Sequence, residues 1–516
     1  MTWTLPERWN PILPGFHPDP SIVEVGGTYV LATSTFEWWP GVQLHTSTDL
    51  VHWVPAGAVF TDPEGLDLSD VPELGGLWAP SISYVGNRYW LVNACVRTPG
   101  PRKDIDVLLT TAADLSGPWT RPVRLGGGGF DPSIFHENGR HWLLNMRWDP
   151  RPDRFSFAGI TIQEIDETGP IDDERLVLVS EHLQEGPNLY AVDGWYYLMM
   201  AEGGTDWNHG IRMARSRELY GPYEVDPEPL LTTRDDPAAM LAKAGHGELL
   251  RTPDGGWAIV HLASRPIDRA DGRFCVLGRE TCLEPVVWAD GWPRLAHGGH
   301  LPRGYRPHDE AGAYPVTFED PFDEPSLDQR WVTLRNPPDS SWLDLSSRPG
   351  WLRLRGRRGL GAQTHVSLVA TRLLSTYCTV TTEVVVEPTT FVQAAGLALW
   401  YDRKGHHTVL VRGSEDGPQI VVATSDLDAY SELETGLLVA GWPSVHLRAE
   451  IRGLGLRFAV SEDGVAWQQV GDELDLAVTS DDHGVMRFTG TMIALLAIDT
   501  GPADMWAAFS GITVGE

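Results

Sequence analysis

Cysteine is scarce in this chain of 516 residues. The four that occur, Cys95, Cys275, Cys282 and Cys378, fall at none of the short spacings of a zinc site or a disulfide framework. Neither a zinc site nor a disulfide framework is expected, and a reduced, cytoplasmic compartment is the simplest reading. Basic residues are in the minority: 40 Lys and Arg face 70 Asp and Glu, for a formal net charge of -30. Such a field repels nucleic acid and anionic membrane surfaces and suits a neutral substrate, although acidity also serves plain solubility. No stretch approaches the ~20 apolar residues of a membrane span. The opening Met1-Thr-Trp-Thr-Leu-Pro-Glu-Arg8 lacks the charged and apolar regions of a secretory signal. With 42% hydrophobic and 21% charged residues the chain can pack ordinary cores, and its length calls for two or more domains.

A repeat fills the first half. Five segments share one grammar: His17-Pro-Asp-Pro-Ser-Ile22, Leu77-Trp-Ala-Pro-Ser-Ile82, Gly129-Phe-Asp-Pro-Ser-Ile134, Gln184-Glu-Gly-Pro-Asn-Leu189 and Gly245-His-Gly-Glu-Leu-Leu250. Each is followed by a turn residue (Gly26, Gly86, Asn138, Asp193, Asp254) and then a ring (Tyr29, Tyr89, His141, Tyr196, Trp257). That is the pattern of a hairpin. Later in three units comes a second element: Ser47-Thr-Asp-Leu, Ala112-Ala-Asp-Leu and Ser216-Arg-Glu-Leu. Copies 52 to 61 residues apart match the length of a four-stranded blade, so five blades are expected over residues 10 to 300. Pro302-Arg-Gly-Tyr-Arg-Pro-His-Asp-Glu-Ala-Gly-Ala-Tyr-Pro315 reads as a connector. Alternating strands resume at Phe318, as in Trp351-Leu-Arg-Leu-Arg355 and Val445-His-Leu-Arg-Ala-Glu-Ile451. The fold class is therefore all-β: a five-bladed β-propeller over 1-302, a linker over 303-316, and a concanavalin-like jelly-roll β-sandwich over 317-516.

In a propeller the first strands line the axis, so residues at equivalent turns converge. Those positions read Asp19, Ala79, Asp131, Gly186 and Gly247, preceded by Pro18, Trp78, Phe130, Glu185 and His246. Asp favours turns for structural reasons alone. Here Ala79 and Gly186 show that the turn forms without a carboxylate, which favours function for Asp19 and Asp131. Converging acids beside Phe36, Trp38, Trp78 and Phe130 suggest a sugar site: rings stack on pyranose C–H faces, and glycoside hydrolysis needs two carboxyl groups. Tyr29, Tyr89 and Tyr196 recur in register and read as blade packing.

Several segments together resemble the β-xylosidases of glycoside hydrolase family 43. They are Asn10-Pro-Ile-Leu-Pro-Gly-Phe-His-Pro-Asp-Pro-Ser21, Ser34-Thr-Phe-Glu-Trp-Trp-Pro-Gly41, Gly76-Leu-Trp-Ala-Pro80, Gly129-Phe-Asp-Pro-Ser133, Glu185-Gly-Pro-Asn-Leu-Tyr190 and Leu277-Gly-Arg-Glu-Thr281. The resemblance covers the whole chain in order. It implies inversion at the anomeric carbon, with Asp19 as general base, Glu185 as general acid and Asp131 as the third acid that orients Glu185 and holds its pKa up. It also implies a sugar contact from Arg279, which joins Phe36, Trp78 and Phe130 as candidate substrate-binding residues. Phe488-Thr-Gly-Thr-Met-Ile493 resembles a sandwich loop that reaches the propeller mouth, with Met492 where the family usually has an aromatic. Trp39, often Phe in relatives, is expected at the pocket rim.

For His246 the resemblance leaves two states open: a structural calcium ion in the axial channel, held mostly by water, or a hydrogen-bonded histidine without metal. No cofactor is implied for the chemistry. The expected activity is exo-acting release of xylose from the non-reducing ends of β-1,4-xylooligosaccharides. α-L-Arabinofuranosidase or dual activity is the alternative, and a non-catalytic carbohydrate-binding protein a more distant one. Expected partners are xylooligosaccharides or arabinoxylan fragments and further copies of the chain, as a homo-oligomeric dimer or tetramer, with neither nucleic acid nor membrane.

Overall fold

The structure is a computed structural model that describes residues 3–98, 100–179, 182–310, 312–484, 487–501 and 504–516. It divides into two compact units. The first takes residues up to Arg265, Arg279–Arg306 and Gly312–Tyr314; the second takes Pro266–Gly278, Pro307–Ala311 and Pro315–Glu516. The stretch from Pro266 to Gly278 lies inside the range expected for the propeller, yet it belongs to the second unit. It carries a hairpin of its own, Ile267–Arg269 with Gly272–Phe274, inserted between the second and third strands of the last blade.

The first unit is a five-bladed propeller. The innermost strands are Ser21–Val25, Gly76–Val85, Gly129–Glu137, Gln184–Val192 and Ala242–Arg251. Each contacts the next, and the fifth contacts the first, so the ring closes. Every blade continues outward as an antiparallel sheet, the first as Thr28–Thr33, Gly41–Ser47 and Val54–Phe60. The recurrent Asp/Glu-Leu element marks the end of the third strand in blades one, two and four, where strands stop at Ser47, Ala112 and Ser216. After the first, Asp49 Oδ1 accepts from the amides of Val51 and His52 at 2.9 and 2.8 Å, which fixes the turn. The N-terminal stretch closes the ring: Ile12 N donates to Thr281 O at 2.9 Å, beside the third strand of blade five, Glu280–Ala289.

The recurring tyrosines do hold blades together. Tyr29 of blade one donates to the carbonyl of Arg251 in blade five at 2.9 Å, and Tyr196 of blade four donates to Glu137 of blade three, also at 2.9 Å. Each such bond contributes about 1 kcal/mol beyond the burial of the ring. Trp39, expected at the pocket rim, is instead buried in the core shared by blades one and two, with Val30, Leu44, Leu77 and Leu91. Its apolar area is worth more there than at a wet edge.

The second unit is a β-sandwich. One sheet runs Leu343–Asp344, Leu352–Arg355, Trp506–Gly515, Tyr377–Val385, Val445–Arg452, Gly455–Ser461 and Gln468–Asp475. The facing sheet contains Val332–Leu334, Ser367–Arg372, Met492–Asp499, Gln393–Asp402, Gly405–Arg412, Gln419–Asp426 and Ala429–Leu438. Alternation does the sorting: along Val445–Arg452, Leu447, Ala449 and Ile451 enter the core while His446, Arg448 and Glu450 turn outward. Val276 and Leu277 of the inserted stretch join that core.

Candidate active site

At the head of each blade the chain takes a left-handed residue. Asp19, Ala79, Asp131, Gly186 and His246 have φ of 54°, 36°, 53°, 56° and 26°. In blades two to five this residue sits in a break of register, between Trp78 and Ser81, Phe130 and Ser133, Glu185 and Asn188, and Gly245 and Gly247. A bulge of this kind re-aims a side chain, and here it does so at the propeller axis. Asp tolerates the left-handed region better than most residues. The fifth bulge is one residue shorter, so His246, not Gly247, shares the register of Asp19 and Asp131. This corrects the alignment read from the repeat.

The buried side chains of Asp19, Asp131, Glu185 and Arg279 and the half-buried one of His246 meet around the axis. Arg279 Nη1 donates to Asp19 Oδ1 at 2.9 Å and to Thr205 Oγ1 at 3.0 Å. Ser34 Oγ donates to Asp19 Oδ2 at 2.7 Å and accepts from Ala79 N at 2.7 Å. His246 Nδ1 lies 3.4 Å from Asp19 Oδ1 and 4.0 Å from Asp131 Oδ2. Gly186 is required beside it. A Cβ at Gly186 would stand 2.7 Å from His246 Nε2, so the residue that frees this turn of a side chain also seats the imidazole. Ser34 and Thr205 had no part in the sequence reading. Ser34 opens the Ser-Thr-Phe-Glu-Trp-Trp segment, whose rings, not its hydroxyl, carry the sugar-site signal.

The electrostatics sort the carboxyl groups. Burial alone would push Asp19 upward, but Arg279 and His246, with the Ser34 hydroxyl, hold it well below the usual carboxylate range, so it is ionised at any working pH. Asp131 is raised by burial and by the charge of Asp19, against the pull of His246 and Arg279. Glu185 is raised furthest, to about 8, by burial first and then by the Asp131 carboxylate. One carboxyl is thus held charged and another held protonated around the same axis, the division of labour that acid–base catalysis needs. His246 stays protonated: burial disfavours its charge, but the hydrogen bond to Asp19 and the charges of Asp131, Asp19 and Glu185 lift it to about 9.

Among the described residues no group of three or more His, Cys, Asp or Glu side chains is arranged to hold a metal. The contacts of His246 in this site are those with Asp19 and Asp131.

Aromatic rings border the cluster in a chain. Phe36 and Trp78 have centroids 6.0 Å apart, Trp78 and Phe130 5.6 Å, and the Arg279 guanidinium lies 5.7 Å from the Phe36 centroid. Trp78 is half-buried, anchored by its indole N–H to the carbonyl of Leu74 at 2.8 Å. Phe36 and Phe130 are buried, and Phe130 also packs into the core between blades two and four. Met492 begins the strand Met492–Asp499 of the sandwich, paired with Arg372 and Trp400, and its side chain is buried.

A five-bladed propeller with a charged carboxylate, a protonated carboxyl and an arginine on its axis is the scaffold of a glycoside-cleaving enzyme. Comparison with known proteins gives the particular family. The pattern described as glycosyl hydrolases family 43 matches residues 9–293, and that of the β-xylosidase C-terminal concanavalin A-like domain matches residues 319–514. The chain belongs to glycoside hydrolase family 43. It is similar to the xylan 1,3-beta-xylosidase of a Vibrio species, 37% identical over 95% of this chain and 96% of that protein. The xylosidase/arabinosidase 43B of Humicola insolens is 36% identical over 98% of this chain and 97% of its own length. The crystal structure of a xylan beta-1,4-xylosidase from Bacillus halodurans C-125 superposes with a TM-score of 0.94 at 40% identity, covering 99% of this chain and all of that one.

Proposed function

We propose that this glycoside hydrolase releases single xylose units from the non-reducing ends of β-1,4-xylooligosaccharides with inversion of configuration. The observation that carries the mechanism is the opposite treatment of two acids on one axis: Asp19 is held ionised and Glu185 protonated. Asp19 takes a proton from a water whose oxygen forms the new bond to the anomeric carbon. Glu185 gives its proton to the glycosidic oxygen as the old bond breaks, so one water is consumed and the two carboxyl groups exchange protonation states. Asp131 keeps Glu185 protonated, and its own carboxylate accepts from the amide of Gly186, next to that acid. Arg279, shared between Asp19 and Thr205, is oriented to receive sugar hydroxyls. His246, held protonated beside Asp19 and Asp131, adds positive charge on the axis.

The names of the relatives support a β-xyloside as substrate and divide between 1,3 and 1,4 linkages. The Humicola relative's name, which joins xylosidase to arabinosidase, supports arabinosidase activity as a second reading. Four buried cysteines without disulfides suit a reducing compartment, and we place the enzyme in the cytoplasm, acting as a homo-oligomer. The test is kinetic. Asp19→Asn and Glu185→Gln should each lower kcat on xylobiose by about 10²–10⁴-fold with the fold intact. Near-normal turnover in either variant contradicts the assignment.

A further inference from the structure

The sandwich carries a groove of its own, about 560 Å³ in volume, on the outer face of the sheet that contains Tyr377–Val385 and Val445–Arg452. This volume lies within the usual range for small-molecule sites. We infer that the groove is a second, non-catalytic binding site for a neutral oligosaccharide chain. The choice of a xylan-type chain as its ligand rests on the function proposed above.

Alternation places Thr379, Thr381 and Glu383 on one side of the groove floor, opposite Glu450, Arg448 and His446 on the neighbouring strand. The turn from Ser461 carries Trp467 into the wall. The Arg448 guanidinium lies 4.3 Å from the Trp467 ring centroid, and its Nη2 is paired with Glu450 at 2.9 Å. Two observations point to a missing partner. Arg448 Nε is buried with no acceptor, a condition native proteins seldom leave unmet. Among the described residues, His446 and Glu383 also make no side-chain hydrogen bond or ion pair, although both line the groove.

The chemistry selects the ligand. An apolar ligand would find little aliphatic wall, because Pro321 and Ile512 are the aliphatic contributions besides the ring. An anion would meet Glu319 and Glu383 along with Arg448, in a chain whose net charge is -30. An indole, a carboxylate, a guanidinium N–H, an imidazole and threonine hydroxyls together match a ligand that alternates C–H faces with hydroxyl groups.

The experiment is calorimetric titration of xylohexaose into the full chain carrying Glu185→Gln, so that the ligand survives. Two sites per chain are expected. Trp467→Ala in that background should weaken one of them about tenfold or more and leave the other unchanged. Glu383→Gln, which leaves the packing of the ring alone, should weaken the same site and decides the matter if the tryptophan variant does not fold. A single site that neither variant weakens, or two sites unchanged in both variants, overturns the inference. A change in sedimentation with Trp467→Ala also overturns it, by showing the face to be a contact between copies. If a Trp467-dependent site is the sole site found, the groove stands and the xylosidase reading fails.

Discussion

Replacing Asp131 with asparagine isolates the charge from the shape of the site. The side chain keeps its size and can still accept from the Gly186 amide, but the negative charge that follows burial in raising Glu185 is gone. Glu185 must then fall from about 8. For two carboxylates on the order of 6 Å apart in an effective dielectric of about 20, the Coulomb energy is ~3 kcal/mol, or about 2 pKa units. At pH 7 the protonated fraction of Glu185 drops from roughly nine-tenths to roughly one-tenth, so turnover there falls about tenfold through protonation alone. The alkaline limb of kcat/KM moves down by about 2 units, while the acid side of the profile is far less affected. The assay is the pH profile on xylobiose, whose poor leaving group depends on the acid, beside a nitrophenyl xyloside, whose good leaving group does so less. A uniform loss of rate with the limb unmoved would refute the charge role and leave Asp131 an orienting group only.

Two further outcomes follow from the same cluster. Gly186→Ala puts a methyl group 2.7 Å from His246 Nε2 at a φ of +56°. It should cost about 1–2 kcal/mol in stability from the backbone alone and lower kcat, because the displaced imidazole no longer faces Asp19 and Asp131; thermal melts and kinetics on one preparation check both. Stability should also fall as pH rises. Because the folded protein holds His246 at about 9, against an ordinary value of 6.5, its contribution is complete below 6.5 and is lost as pH climbs through 9. Glu185, raised to about 8, acts in the same direction over a lower range. The melting temperature should be lower at pH 9 than at pH 6.5, and His246→Gln should flatten that slope.

Much of this was legible in the sequence because the repeat compares its own copies. Asp19 and Asp131 stand where Ala79 serves equally well for the turn, and the structure puts both beside His246 and Arg279. Two things hid from that comparison. The fifth bulge lacks one residue, so the repeat aligns Gly247 with Asp19 and Asp131, a place that His246 holds. The inserted stretch Pro266–Gly278 interrupts blade five with strands of its own, and strand propensity cannot say which sheet a strand joins. Ser34 and Thr205 are ordinary hydroxyl residues whose roles exist only through distant partners, Asp19 and Arg279, so no local pattern announces them. Trp39 shows the converse: an aromatic beside site residues in sequence can belong to the core.

In the proposed reaction Asp19 activates water on one side of the sugar while Glu185 protonates the leaving oxygen on the other. Proton NMR of the first sugar released from a β-xyloside, read before mutarotation, tests it most directly. α-Xylose is the expected first product; β-xylose would mean retention and would contradict this assignment.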